Sequence, residues 1–283
     1  MRFAKDLSAA GLTGIVAYSR SGAKAQPGDA LHAEAAAAGV TLVKTMRALC
    51  KSTDVIIALT PGKAALAAAK KISKHLQPGQ IYVDMSSAAV KTMEDIAQLL
   101  DGKARFVDAA IMSPVPLNGI KGVIGASGAD AEAFRVLMEP YGMNVKVVGV
   151  KPGGASAMKL IRSVCMKGLS AVLLECLEVA HRYGVLEAAA ADIAGSFDER
   201  PFAQNMKRYV CGTAVHAERR IHEMADVLAL LNSLDSSTRM TKSTRAKLMD
   251  VSKMGLREKF NAREPDTIAA VMDAIVALGP SKA

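Results

Sequence analysis

The stretch Val145-Lys146-Val147-Val148-Gly149-Val150-Lys151-Pro152-Gly153-Gly154-Ala155-Ser156-Ala157-Met158-Lys159 separates two kinds of sequence. Its opening, with Asn144, reads as the last strand of an alternating region. Lys151-Pro152-Gly153-Gly154 reads as a joint, because proline fixes its own φ and glycine reaches conformations closed to other residues. From Ala155 a helical periodicity continues to Tyr183, about eight turns at 3.6 residues each. Before the joint, apolar runs of strand length at 14–18, 55–59, 80–84, 105–110, 122–125 and 144–148 alternate with helical segments at 30–38, 61–75, 90–100 and 129–139. Strands that are apolar throughout and alternate with helices predict a mostly parallel sheet covered on both faces. After the joint only helices fit, at 188–196, 214–234, 241–257 and 265–278. The expected fold is a doubly wound α/β domain over residues 1–150, followed by an all-α domain over 151–283.

The 283 residues suffice for two ordinary domains with real cores. Hydrophobic residues make up 51% and charged residues 22%, a globular profile, while aromatics reach only 4%. The core is therefore built from aliphatic side chains and the 15 Met. No run approaches the roughly 20 apolar residues that span a bilayer. Met1-Arg2-Phe3-Ala4-Lys5-Asp6 carries an early acid and lacks the apolar stretch of a secretory signal. The expectation is a cytoplasmic protein with no membrane partner. Cys50, Cys165, Cys176 and Cys211 are scattered and form no CxxC pair, so no metal site is expected. A net charge of +9 fits either an anionic ligand or a solvated basic surface. The basic residues are not interleaved with aromatics, which argues against a nucleic-acid stacking platform.

Several segments carry candidate chemistry. Ser19-Arg20-Ser21 follows the first strand. At the corresponding strand end of a dinucleotide fold, an acid binds free ribose hydroxyls and an arginine accommodates a 2′-phosphate. Arg20 with no nearby acid favours NADP, with NAD as the alternative; an ordinary polar loop is the competing reading. Leu59-Thr60-Pro61 and Asp84-Met85-Ser86-Ser87 also end strands, where ligands of open α/β sheets bind. The hydroxyls of Ser86 and Ser87 suit a carboxylate, although either serine also suits a helix N-cap. Gly153 to Lys159 starts a helix with small residues that admit close approach, and Ser163 and Lys167 follow Lys159 on the same face. Among Met158, Ile161 and Val164, a buried lysine would lose its proton more easily. Alone, Lys159 reads as a solvated lysine. On a later helix, His216, Arg219, Arg220 and Glu223 line one side and could clamp an acidic substrate or simply pair in water. The sequence from His216 to Glu223 lacks the H-E-x-x-H spacing of zinc proteases.

Together these segments resemble the β-hydroxyacid dehydrogenase superfamily, which includes 3-hydroxyisobutyrate and 6-phosphogluconate dehydrogenases. Asp84-Met85-Ser86-Ser87 resembles the family's substrate-binding strand end. Phe106-Val107-Asp108-Ala109-Ala110 resembles the next strand, and Gly153 to Lys159 the GxGxxxK catalytic helix start. The resemblance implies a Rossmann-type domain followed by a helical domain, a homodimer, and Lys159 as the catalytic lysine. The region around His216-Ala217 and Arg219-Arg220 is closer to a less characterised branch of the family. Ala155 departs from the second glycine of the motif. Arg162 and Ser163 stand where the family has two asparagines, and Met112-Ser113-Pro114-Val115-Pro116 replaces its glycine-rich loop.

The resemblance implies an NADP-dependent oxidoreductase, with NAD as the alternative, that transfers hydride to or from a small acidic substrate bearing a hydroxyl, carbonyl or imine group. Lys159 is its proton donor or acceptor. Ser86, Ser87, Ser163, His216 and Arg219 hold substrate, and Ser19, Arg20, Ser21, Leu59, Thr60 and Pro61 meet the cofactor. The alternative is a non-catalytic binding or scaffold protein of the same ancestry. The segment from Phe3 to Gly11 resembles the helix after the family's GxGxxG turn. The expectation is that a strand and that turn belong before it, and that the polypeptide from Met1 folds poorly and binds NADPH weakly.

Overall fold

The computed structural model describes residues 2–26 and 28–279, which form two compact units, 1–164 and 165–283. The first is an α/β unit. In chain order it contains α1 (Arg2–Ala9), β1 (Ile15–Ala17), α2 (Ala30–Ala37), β2 (Val40–Leu42), α3 (Met46–Lys51), β3 (Val55–Ala58), α4 (Ala65–Ile72), β4 (Ile81–Asp84), α5 (Val90–Leu100), β5 (Arg105–Ile111), α6 (Val115–Asn118), β6 (Ile124–Ser127), α7 (Ala131–Met138) and β7 (Val145–Gly149). The helix α8 (Gly154–Tyr183) begins in this unit and continues into the second. The boundary at 164–165 lies beyond the glycine joint, and the first turns of α8 go with the sheet they are bonded to.

The sheet is in two pieces. Strands β1 and β2 pair in parallel, while β3, β4, β5, β6 and β7 form a five-stranded sheet in that order. All pairings in the larger piece are parallel except β5 with β6. Among the described residues no strand bonds β1 to β3. The alternation of side chains sorts each strand's residues between two faces. Ile81, Val83 and Val107 join Phe3, Leu7, Phe134 and Met138 in one buried cluster. Tyr82 and Phe106 turn to the other face, against Met93, Ile96 and Leu100 of α5 and Ala65 and Ala69 of α4. These two rings are register partners and stack with centroids 6.4 Å apart.

Several boundaries depart from the sequence reading. Strand β2 and helix α3 were not expected, because three residues and a single turn carry little periodicity. The fifth strand starts at Ile124 rather than 122, because Gly122 closes the preceding turn with N–H bonds to Asn118 and Gly119. The segment expected as a helix over 61–75 is a short 3₁₀ turn at Gly62–Ala64 followed by α4.

The second unit is all-helical. After α8 come α9 (Leu186–Asp198), α10 (Phe202–Ser233), α11 (Arg239–Lys253), α12 (Leu256–Lys259) and α13 (Ile268–Leu278). The helix expected from 214 starts at Phe202, and the one expected over 241–257 is split by Gly255, which sits at φ +70°. A left-handed residue ends a helix, and glycine adopts it without strain. The last helix begins at Ile268 instead of 265, capped by the Thr267 hydroxyl, which accepts the Ala270 N–H at 3.1 Å. No helix of the described residues is long and apolar enough to cross a membrane.

One buried acid ties α8 to α11. Glu175, 7% exposed, accepts the Met240 N–H at 3.0 Å, the Thr241 N–H at 2.8 Å, the Thr241 hydroxyl at 2.7 Å and the Ser237 hydroxyl at 3.1 Å. Burial raises its pKa, but these donors together outweigh burial and hold the carboxyl below its usual range. A depressed carboxyl stabilises the fold fully above its unfolded pKa, about 4.3, and that contribution disappears as pH falls through the lower folded value. We expect Glu175→Gln to cost about 1.5–3 kcal/mol, the usual worth of hydrogen bonds to a charged group. Urea melts at pH 7 and under acid conditions check this: the loss should be largest near neutrality and should shrink as the medium becomes strongly acidic.

Candidate functional site

The register Ala58↔Asp84↔Asp108 brings the C-terminal ends of β3, β4 and β5 to one edge of the sheet. Ser86 and Ser87 follow the end of β4 at this edge. Lys159, one turn into α8, donates from Nζ to the Ser87 hydroxyl at 2.7 Å, across 72 residues of sequence. Arg162, on the next part of α8, donates from Nη1 to the Met112 carbonyl at 3.2 Å and holds the segment after β5. The turn after β3 lies directly on the Ser87 backbone. A Cβ built on Gly62 would sit 2.2 Å from the Ser87 carbonyl oxygen, so only glycine fits there.

Beneath Lys159 lies a buried polar node. Asp108 has no exposed surface. It accepts the Ser127 hydroxyl at 3.0 Å, the Ser156 N–H at 3.0 Å and the Ser156 hydroxyl at 2.8 Å. Ser127 in turn accepts the Ala155 N–H at 2.9 Å. The first amides of α8, which no helical carbonyl can satisfy, are thus taken up by β5 and β6. Glycine permits the closeness: Gly153 is at φ +91°, and a Cβ there would meet Val90 Cγ1 at 2.8 Å. Beside Asp108, Asp84 is equally buried and accepts the Ser86 N–H at 2.9 Å. Burial pushes its carboxyl above the usual range, the Ser86 N–H opposes that, and the Asp108 charge adds to it.

The structure brings together Lys159, Ser87 and the strand ends. Ser163 lies one turn beyond Lys159 and is half-buried. Ser86 is buried at 3% exposure, so Ser87 alone of the pair meets Lys159. The apolar enclosure expected around Lys159 is not seen within the chain. Ile161 and Val164 are 69% and 77% exposed, because successive residues of a helix point in different directions. Ser19, Arg20 and Ser21 form an exposed turn after β1, folded on the Ser19 hydroxyl, which accepts the Gly22 N–H at 2.9 Å. Leu59 is exposed, while the Thr60 hydroxyl is buried without a hydrogen-bond partner among the described residues.

His216 and Arg219 lie in the helical unit and make their contacts there. Arg219 pairs with Glu223, and His216 Nε2 lies 3.5 Å from Glu264. His216 interrupts α10 with φ −111° and ψ 17°, and the Val215 carbonyl is taken by Arg257 at 3.1 Å. Sequence reading missed Asp108, Ser127 and Ser156 as a unit. The available signal was an acid inside each of two otherwise apolar strands, since a buried carboxyl needs donors.

A dinucleotide fits this edge on two observations. The Thr60 hydroxyl, buried and unspent at the end of β3, suits a polar group lying over the strand ends. The exposed turn at Ser19–Ser21 places Arg20 beyond β1, where the adenosine end of a dinucleotide falls.

Comparisons with known proteins agree. Residues 1–149 match the NAD binding domain of 6-phosphogluconate dehydrogenase, and residues 180–251 match a domain of unknown function, DUF1932. An uncharacterized 28.5 kDa protein of Methanothermus fervidus is 30% identical over 73% of this chain and 79% of its own length. A solved protein of unknown function, described as structurally similar to 3-hydroxyacid dehydrogenases, is 31% identical with a TM-score of 0.59, covering 89% of this chain and 93% of that one. An imine reductase from Myxococcus stipitatus, solved with NADP+, shares the fold at a TM-score of 0.71 and 18% identity, covering 96% of this chain and 95% of its own. From the matched domains and the parallel strand ends beneath a glycine-started helix, the chain belongs to the β-hydroxyacid dehydrogenase superfamily, a family of NAD(P)-dependent dehydrogenases and reductases.

Proposed function

We propose that the protein is an NADP-dependent oxidoreductase acting on a small acidic substrate with a hydroxyl, carbonyl or imine group, and that Lys159 is its general acid/base. The observation that carries this reading is the Lys159–Ser87 hydrogen bond at the C-terminal edge of the sheet. A bound nicotinamide supplies the hydride chemistry. Arg20 would hold a 2′-phosphate, and Thr60 and Pro61 would border the cofactor. Ser87 orients the Lys159 ammonium and offers its hydroxyl to a substrate carboxylate. Lys159 gives a proton to the substrate oxygen or nitrogen on reduction and takes it back on oxidation. Ser163, one turn further along α8, extends the same polar face.

His216 and Arg219 contribute to an acidic substrate's tail in this reading, with the Glu264 and Glu223 pairings exchanged on binding. The protein works as a homodimer. In support, Leu169, Leu173 and Leu177 of α8 and Ile193 and Phe197 of α9 line an open apolar groove of about 310 Å³, and apolar patches left open on a chain commonly mark interfaces.

Two measurements test the chemistry. Lys159→Ala should lower kcat by about 10²–10⁴-fold, the usual worth of a positioned proton donor, with NADPH affinity changed little. Turnover is followed by NADPH fluorescence with a panel of short 3-hydroxy acids and cyclic imines; unchanged kcat would remove Lys159 from the mechanism. Arg20 should favour NADP over NAD by about 10- to 100-fold, since an arginine–phosphate contact contributes roughly 1.5–3 kcal/mol. Arg20→Ala should erase that preference and leave NAD use intact. Equal kcat/KM for the two cofactors in the parent chain would refute the assignment.

A further inference from the structure

We propose that Asp108 is the positioning residue of the site: through Ser127 and Ser156 it fixes the first turn of α8, and so the place and direction of Lys159 relative to Ser87. The claim rests on the reading of Lys159 as the acid/base, but its geometry stands apart from that chemistry. Asp108 is fully buried, and three donors converge on it from two elements. Ser127 belongs to β6 and Ser156 to α8, so one carboxylate joins three elements. Lys159 follows Ser156 by three residues, close to one helical turn, so a rotation of the first turn swings its amine away from Ser87.

The rest of the surroundings leave this task to Asp108. Gly153 precedes α8 and Gly154 opens it, and glycine resists backbone rotation least of all residues. Ala155 is buried and small, and a methyl group offers no directional contact. Further along α8, Arg162 donates to the Met112 carbonyl, which lies on a segment after β5 rather than on the sheet. Asp108 of β5 and Ser127 of β6 each bond the helix start directly. Asp84, alongside in register, accepts the Ser86 N–H within its own strand end.

The test reads Lys159 directly and needs no substrate. The full chain and its variants are exposed briefly to trinitrobenzenesulfonate across a pH series. Modification of each lysine is quantified by peptide mass spectrometry, with exposed Lys70 and Lys121 as references. Ser87→Ala defines the signature of a Lys159 released from the Ser87 hydroxyl. Asp108→Ala should reproduce that signature, changing the Lys159 rate about five-fold relative to the references, the equivalent of one lost hydrogen bond. Asp108→Asn keeps one acceptor oxygen and should recover much of the parent rate. Asp130→Asn, which loses only the ion pair to Arg105 at the opposite end of β5, should leave the rate unchanged. If Asp108→Ala does not fold, Ser127→Ala removes one link alone and should move the rate in the same direction. A folded Asp108→Ala or Ser127→Ala chain with the parent rate and pH profile at Lys159 would overturn the proposal. Turnover of Lys159→Ala decides the catalytic reading separately: full activity there would sink that reading, while the labelling rates would still decide whether Asp108 holds the helix start.

Discussion

A carboxyl group cannot be buried cheaply. Without donors it costs several kcal/mol, and the fold must either neutralise it or surround it. Asp108 is surrounded, and the donors that surround it come from elements far apart in sequence. Meeting that one requirement decides where β6 ends, where α8 begins and how close the two come. Gly154 and the buried Ala155 suit the same requirement: a Cβ on Gly154 would meet Ser127 at 3.1 Å, and bulk there would hold the amides of α8 away from Ser127 and Asp108. The site is thus built downward from a buried anchor, and its exposed lysine is the visible end of a chain of bonds that begins inside the sheet.

Much of this was legible in the sequence, and the reasons differ by element. The strands over Val55–Ala58, Ile81–Asp84 and Arg105–Ile111 are continuous apolar runs, and the turn chemistry around them is unmistakable. Lys159 was legible because its glycine-rich helix start resembles a family motif. Strand β2 was not legible: three residues with a threonine in the middle give no pattern. The kink at His216 was hidden too, since the helical pattern runs straight through it and the compensating donor, Arg257, arrives from another helix. Periodicity records which face a residue occupies. It does not record a hydrogen bond made across 48 residues of chain, which is what ties Asp108 to Ser156.

The two acidic centres show how position sets the role of a carboxylate. Glu175 collects four donors around the start of α11, and their sum outweighs its burial. At Asp84 burial prevails over the hydrogen bonding that opposes it, and the neighbouring Asp108 carboxylate adds to the rise.

The strand order of the larger sheet has a consequence for how the molecule comes into being. From β3 to β7, every strand lies beside the one that precedes it in sequence. Each addition closes only the short loop formed by one connecting segment, and loop-closure entropy grows slowly with such lengths. Assembly of this sheet can therefore proceed as a row of successive neighbours, with no strand waiting for a distant partner. Structures dominated by local pairing assemble faster than those that need remote ones. Only after β5 and β6 are in place can Asp108 and Ser127 receive the amides of α8. The helix that carries Lys159 is therefore fully bonded only to a sheet edge on which β5 and β6 are both present.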